Sequence, residues 1–187
     1  MIRFKFTETE INKALKELTI QIDTREQKEH IEAYFKKQGI NYKRSKIDHG
    51  DFTAYIPKGT LKGIDYDLTF DKSIVVERKA SLDELAGNFS SKDYPRISKE
   101  FAHLKANGTK CVVMVEDNLF DKHIREGRYR SEYDPKRLYA RLKGFEAEYN
   151  VIFRPVNKDF IASEIYHTLY YEVRNILKRE FKLELEG

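Results

Sequence analysis

The chain has 187 residues, 35% of them charged and 40% hydrophobic, with a formal net charge of +4 at pH 7. This size and composition predict one folded domain with its own core and exclude a disordered or low-complexity protein. No stretch has the length of a membrane span, and the N-terminus lacks the apolar segment of a signal peptide. A single cysteine, Cys111, excludes an internal disulfide. We therefore expect a cytoplasmic protein without a membrane partner.

Hydrophobic periodicity and capping signals predict strands that alternate with helices. The predicted strands are 20–22, 42–47, 52–56, 66–70, 74–79, 110–116 and 151–153. The predicted helices are one opened by Thr7 and Glu10 in a capping-box pattern, one that ends at Gly39, a short one after Ser81, and others at about 93–107, 134–149 and 159–178. Strands 42–47 and 52–56 are expected to pair antiparallel, 88–92 to form a polar loop, and 118–133 to be irregular. This order predicts an α/β fold, a mixed β-sheet flanked by helices on both faces.

The strand 74–79 ends in charged residues where a purely structural strand would stay apolar or turn. Side chains alternate across a strand, so Glu77 and Lys79 share a face, roughly 6.5–7 Å apart along it. A carboxylate and an amine on one face at a strand end suit a site that holds a metal ion and steadies a phosphate. A surface ion pair is the simpler alternative.

Acidic residues also lie at the ends of two other predicted strands: Asp23 and Glu26 after the first, and Asp51 before the third. Strand ends can converge in an α/β sheet, and clustered carboxylates suit a hard ion such as Mg²⁺ or Mn²⁺. The sequence has no CxxC zinc spacing, Walker loop, GxGxxG fingerprint or G-x-S-x-G elbow. The pattern therefore favours metal-assisted phosphodiester hydrolysis.

These segments resemble the signature of the XPF-type structure-specific endonucleases, Gly-Asp followed by Glu-Arg-Lys-x-x-x-Asp. The matching residues here are Gly50-Asp51 and 77–79 with Asp83, preceded by Asp23-Thr24-Arg25-Glu26. Glu77-x-Lys79 with Asp51 is also similar to the wider PD-(D/E)xK nuclease pattern. The resemblance covers about 20–153 and implies a restriction-endonuclease-like fold.

The resemblance also implies a role for each matching residue. Asp51 and Glu77 are expected to bind the metal, with Asp23 as a further acid near it, and Lys79 to orient or activate the attacking water. The supporting polar residues would be Arg25, Glu26, Arg78 and Asp83. We expect one nuclease domain, with a helical addition at 1–18, a catalytic core at 19–156 and a C-terminal helix and tail at 157–187.

The residues and the resemblance together also predict partners. Cations interleaved with aromatic residues suit contacts with DNA, duplex or branched. The candidate DNA-binding residues are Arg96, Arg125, Arg128, Tyr129 and Arg130. The helix at 159–178 carries more apolar positions than one stripe needs, which together with the resemblance predicts a homodimer. No tandem helix-hairpin-helix pattern follows the core, so an accessory DNA-binding protein is a further expected partner.

Three functions are compatible with these residues. The leading hypothesis is a metal-dependent DNA endonuclease acting on branched or junction DNA in repair or recombination, in a prokaryote, an archaeon or a phage. A non-catalytic DNA-binding or scaffold subunit is the alternative from another class, because this family pairs active subunits with degenerate ones. A sequence-specific restriction endonuclease is the third.

Overall fold

We describe residues 6–26, 29–89 and 93–180 of a computed structural model of the chain. The chain divides into two compact units. Unit 1 comprises Met1–Ile47, Phe52–Asp71 and Ala162–Gly187, and unit 2 comprises Asp48–Asp51 and Lys72–Ile161. In the described ranges, no helix is long and apolar enough to cross a membrane.

The described residues of unit 1 form four strands and three helices. The elements are α1 (Glu8–Lys16), β1 (Thr19–Ile22), α2 (Glu29–Gln38), β2 (Asn41–Arg44), β3 (Phe52–Ile56), β4 (Leu68–Thr69) and α7 (Ile161–Glu180), whose first residue belongs to unit 2. The predicted capping box at α1 is confirmed, since Thr7 Oγ1 accepts a hydrogen bond from the Glu10 amide and the Glu10 carboxylate accepts one from the Thr7 amide. The residues of α1 that are buried are Ile11, Ala14 and Leu15, the apolar positions of the predicted helix.

The prediction that 42–47 and 52–56 pair with each other is wrong. β1 lies between them, parallel to β2 and antiparallel to β3. The helix α2 carries the chain back across the strands, and such a crossover joins parallel neighbours, whereas a short turn joins antiparallel ones. The segment between β2 and β3 therefore connects two strands that flank β1, and it is not a hairpin turn.

Within the part of unit 2 that the structure describes there are three parallel strands and four α-helices. The elements are β5 (Ile74–Lys79), α3 (Leu82–Asn88), α4 (Tyr94–Ala106), β6 (Lys110–Glu116), α5 (Phe120–Glu126), α6 (Pro135–Tyr149), β7 (Val151–Val156) and a 3₁₀ turn at Lys158–Phe160. The strand order is β5-β6-β7. The helices cover one face of these strands with an aromatic core, in which Phe89 and Phe101 meet the Phe145 ring edge to face, at centroid distances of 5.0 and 5.5 Å.

The predicted α/β class with mixed strand pairing is confirmed, and several boundaries change. The segment 118–133, expected to be irregular, contains α5, which buries Phe120 and Ile124 and ends at Gly127 with φ +66°. The helix was missed because it has only two apolar anchors. In the expected polar loop 88–92, Asn88 is the last residue of α3, and 90–92 lie outside the described residues.

Gly50 lies where the chain approaches β5. Its φ is +80°, and a Cβ built on it would lie 2.9 Å from Val75 Cβ, closer than real Cβ atoms come. Only glycine adopts this conformation without strain, and only glycine leaves room for Val75. The match of Gly50 to the Gly-Asp motif thus has a steric reason.

Gly50→Ala is expected to lower the free energy of unfolding by the strain of a positive φ, about 1–2 kcal/mol, plus an overpacking cost of about 1–3 kcal/mol. Gly108→Ala is the matched control, because Gly108 has φ +71° with nothing within 4 Å of the added Cβ. Urea denaturation of both variants measures the difference. Equal losses would show that the approach to Val75 is not tight.

Candidate active site

The end of β5 brings an acid and an amine together. Glu77 and Lys79 project from the same face, and Lys79 Nζ lies 2.6 Å from Glu77 Oε1. A second acid from the first turn of α3, Glu84, lies 3.6 Å from the same nitrogen. The Lys79 side chain is only 12% exposed and that of Glu77 23% exposed, so water screens this pair less than a surface ion pair. The predicted shared face is confirmed.

The protonation of this pair follows from its surroundings. Burial raises the pKa of the Glu77 carboxyl above its usual value, and the Lys79 ammonium only partly offsets that effect. For Lys79, burial favours the neutral amine, but the Glu77 carboxylate outweighs it and raises the pKa of the amine. Lys79 is therefore an ammonium ion at neutral pH, a cation suited to a phosphate group.

Asp51 is held against the same strand by its main chain and its side chain. Its amide donates to the Val76 carbonyl over 2.9 Å, and the Arg78 amide donates to Asp51 Oδ2 over 2.8 Å. These two bonds fix the Asp51 carboxylate relative to the backbone of β5, the strand that carries Glu77 and Lys79. Three of the predicted site residues thus share one strand end in unit 2.

Arg78 points to the opposite face of β5. Its Nε lies 2.7 Å from Glu116 Oε1 at the end of β6, and both side chains are about 95% buried or more. Its amide donates to Asp51 Oδ2. The guanidinium joins the ends of two neighbouring strands.

Asp23 forms a clamp within unit 1. Its buried carboxylate accepts from the Arg25 amide (2.8 Å), from Arg25 Nε (2.6 Å) and from the Ile47 amide (2.7 Å). Burial favours the neutral acid, but these hydrogen bonds outweigh it and lower the pKa of Asp23. Arg25 also donates to the Ile47 carbonyl, and the Glu26 carbonyl accepts from Arg44. These contacts hold the segment after β1 against β2 and the residues that follow it. The metal-binding role of Asp23 stays a prediction.

Asp83 binds Arg130, in the segment that follows α5. Its two carboxylate oxygens accept from the amide and the Nε of Arg130, over 2.6 and 2.9 Å, and these bonds lower the pKa of Asp83. Nearby, the Tyr129 hydroxyl donates to the Tyr133 carbonyl over 2.7 Å. Asp83 therefore anchors the segment after α5 to the start of α3.

The other candidate DNA-binding arginines also have partners. The Arg125 guanidinium lies 4.8 Å from the centre of the Tyr139 ring, and Arg128 Nε lies 2.6 Å from Glu126 Oε2. Arg96 lies 3.6 Å from Glu100, one turn along α4. All three are on the surface, and none of them is shown in contact with Glu77 or Lys79. Their DNA contacts stay predictions.

Two polar residues near the pair were not among the predicted site residues. Glu100 of α4 and Asn88 of α3 line a small cavity together with Gly50, Glu77 and Lys79. No motif marks either residue, because each comes from a helix whose apolar face dominates its pattern. In the described ranges, no cluster of three or more His, Cys, Asp or Glu side chains has the geometry to hold a metal ion.

The chain is similar to known proteins in sequence and in fold. The sequence matches the family described as the ERCC4 domain over residues 22–163. XPF from Aeropyrum pernix has a similar structure, with a TM-score of 0.57 and 18% identity over 83% of this chain and 68% of that one. XPF from Aeropyrum pernix in complex with DNA has a TM-score of 0.55 and 16% identity, over 84% and 65%. The chain thus spans about two thirds of the length of these proteins and shares their fold. A comparison with curated sequences found no significant match.

Asp23→Asn is expected to lower the free energy of unfolding by about 1–3 kcal/mol at pH 7, because an amide cannot accept all three hydrogen bonds. The lowered pKa means that the carboxylate stabilises the fold above the unfolded pKa of about 3.9. That stabilisation is lost as the pH falls through the lower folded pKa, so the two proteins should converge in acid. Urea denaturation between pH 2 and 7 tests this, with the exposed Asp48→Asn as control. A difference that persists unchanged at pH 2 would contradict it.

Proposed function

Since the chain belongs to the ERCC4 domain family, we propose that it is a divalent-metal-dependent endonuclease that hydrolyses phosphodiester bonds in DNA. The observation that carries this proposal is the strand end where Asp51 is docked on β5 beside the Glu77–Lys79 pair. This hydrolysis needs carboxylates that can bind a metal ion. It also needs a cation, here an ammonium ion, that can contact the phosphate.

The residues fit Mg²⁺ or Mn²⁺ by the chemistry of their donors. Mg²⁺ is usually bound through one or two carboxylates, with water and substrate phosphate oxygens completing its coordination. Asp51 and Glu77 supply two carboxylates, each oriented by a hydrogen bond to one of its oxygens. The ion would be held by these two and would supply an activated water and charge neutralisation at the phosphate.

The protein's own groups then have distinct tasks. Lys79, protonated at neutral pH, neutralises charge on the phosphate and orients the attacking water through its N–H groups. It does not serve as the general base while Glu77 holds its proton in place. Arg78 keeps Asp51 in position through its amide. Asp83 and Arg130 hold the surface segment that we propose contacts DNA.

The same residues weigh against the alternatives. A non-catalytic scaffold subunit has no need for an aspartate, a glutamate and a lysine together at one strand end. A restriction-type enzyme would use the same chemistry but cut linear duplex DNA at one sequence. One of the similar structures is a complex with DNA, and we propose DNA as the substrate here too, in branched or junction form. Such a substrate would place the protein at the nucleoid, in repair or recombination.

We also propose a homodimer formed through α7. This helix carries three neighbouring tyrosines, Tyr166, Tyr170 and Tyr171, and the Tyr171 side chain is 63% exposed. His167 stacks on Tyr171 with a centroid distance of 6.4 Å. Aromatic residues of this kind are enriched in protein interfaces, and two-fold pairs are the commonest soluble oligomers.

Asp51→Asn, Glu77→Gln and Lys79→Met are each expected to reduce cleavage by at least 100-fold, because each removes a group that acts on the reacting phosphate or its metal ion. The assay uses labelled duplex, flap, fork and four-way-junction DNA with Mg²⁺, Mn²⁺ or EDTA. DNA affinity should change far less than turnover. Asp65→Asn, an exposed acid in unit 1, is the control. Full activity of the first two variants, or activity in EDTA, would refute the assignment.

Tyr171→Glu is expected to turn the dimer into a monomer at micromolar concentration, because it places a charge in the proposed interface. Light scattering measures the mass. Tyr66→Glu is the matched control, since Tyr66 is 55% exposed and lies outside α7. A wild-type protein that is monomeric with and without DNA would rule the dimer out.

A further inference from the structure

A small cavity lies beside the Glu77–Lys79 pair in unit 2. Its volume is about 20 Å³, enough for one water molecule, which needs about 10–15 Å³ by the same measure. Apolar side chains form most of its wall, among them Phe89, Phe101 and Val113. Its polar lining comes from Gly50, Glu77, Lys79, Asn88 and Glu100.

Asn88 is the anomaly in this wall. Its amide nitrogen, Nδ2, is fully buried and has no hydrogen-bond partner among the described residues. A buried donor without an acceptor costs about 1–3 kcal/mol. An apolar residue in the last turn of α3 would avoid that cost, since Leu82, Leu85 and Ala86 of the same helix are all buried. An amide in this position therefore needs an acceptor that the described protein groups do not supply.

We propose that Asn88 is a positioning residue that holds one buried water molecule, and that this water links its amide to the Glu77 carboxylate. The water accepts from Asn88 Nδ2 and donates to Glu77. The two acids that line the cavity are not equivalent. Glu100 already forms an ion pair with Arg96, with 3.6 Å between the charged groups, and the Arg96 side chain is 62% exposed. Glu77 is bound to Lys79 through Oε1, and its side chain is the less exposed of the two acids.

This water would fix the rotation of the Glu77 carboxylate. Lys79 restrains one of its oxygens, and a hydrogen bond from the cavity restrains the group from a second direction. A carboxylate held at two points presents a defined lone pair to a cation, as partners behind a metal ligand do elsewhere. This inference rests on the proposed function, because it assigns Asn88 to the metal site of that nuclease.

The experiment compares Asn88→Leu with Asn88→Ser. Leucine has the same branched side-chain skeleton and no donor, so it is expected to leave stability unchanged or higher, while it weakens Mn²⁺ binding about tenfold and lowers turnover. Serine keeps a hydroxyl donor and leaves room for water, so it is expected to recover most of both. Calorimetric Mn²⁺ titration, urea denaturation and cleavage of the best DNA substrate give the three readouts. A stable variant with weak metal binding is the signature of positioning, since a merely structural residue would lose stability first.

Three outcomes would overturn the proposal. Unchanged Mn²⁺ affinity in Asn88→Leu removes the link to the site, and a loss of stability that matches the loss of binding makes Asn88 structural. A crystal structure at high resolution with no water between Asn88 and Glu77 removes the mechanism. Failure of the proposed function is distinct from these, because wild-type protein would then neither bind Mn²⁺ nor cleave DNA, while the crystal structure still decides whether the water is there.

Discussion

The candidate site depends on the docking of Gly50 and Asp51 against β5. Two hydrogen bonds, each worth about 1 kcal/mol, join Asp51 to the main chain of Val76 and Arg78. The missing side chain at Gly50 permits the approach. Since Glu77 and Lys79 extend from the same strand, the two carboxylates and the ammonium ion share one rigid support. A loop-borne aspartate is thereby placed as precisely as a residue of the sheet.

The predictable part of this arrangement was local. Alternation along β5 gives the shared face of Glu77 and Lys79, because it depends only on residues close in sequence. The resemblance to the Gly-Asp motif adds Asp51. The pairing of β1 with β2 and β3 was not predictable in the same way, since strand neighbours are chosen by long-range packing. Nor does any local pattern predict the hydrogen bonds between Asp83 and Arg130, which lies 47 residues further along the chain. The resemblance gives Arg78 and Asp83 only as supporting polar residues and does not identify their partners Glu116 and Arg130.

The charges around the site are mostly used within the protein. Arg128 lies against Glu126, Arg130 against Asp83 and Arg96 against Glu100. A DNA phosphate at any of these guanidinium groups would compete with a carboxylate already there, so the net gain is a difference between two ion pairs. Exposed pairs of this type contribute about 0–1 kcal/mol, and contacts with phosphate weaken steeply with salt. Under the proposed function, affinity for DNA then comes from many small exchanges and from a second subunit.

The buried pair of Arg78 and Glu116 has a consequence for how this sequence can diverge. Removal of either partner alone breaks a buried ion pair, which typically costs about 3–5 kcal/mol, a large part of the stability of a domain. Replacement of both by well-packed apolar side chains is often neutral. A sequence that exchanges this pair one residue at a time therefore passes through a strongly destabilised single variant. Relatives with a different residue at position 78 should carry a compensating change at position 116, so covariation at these two positions is a test that needs only more sequences.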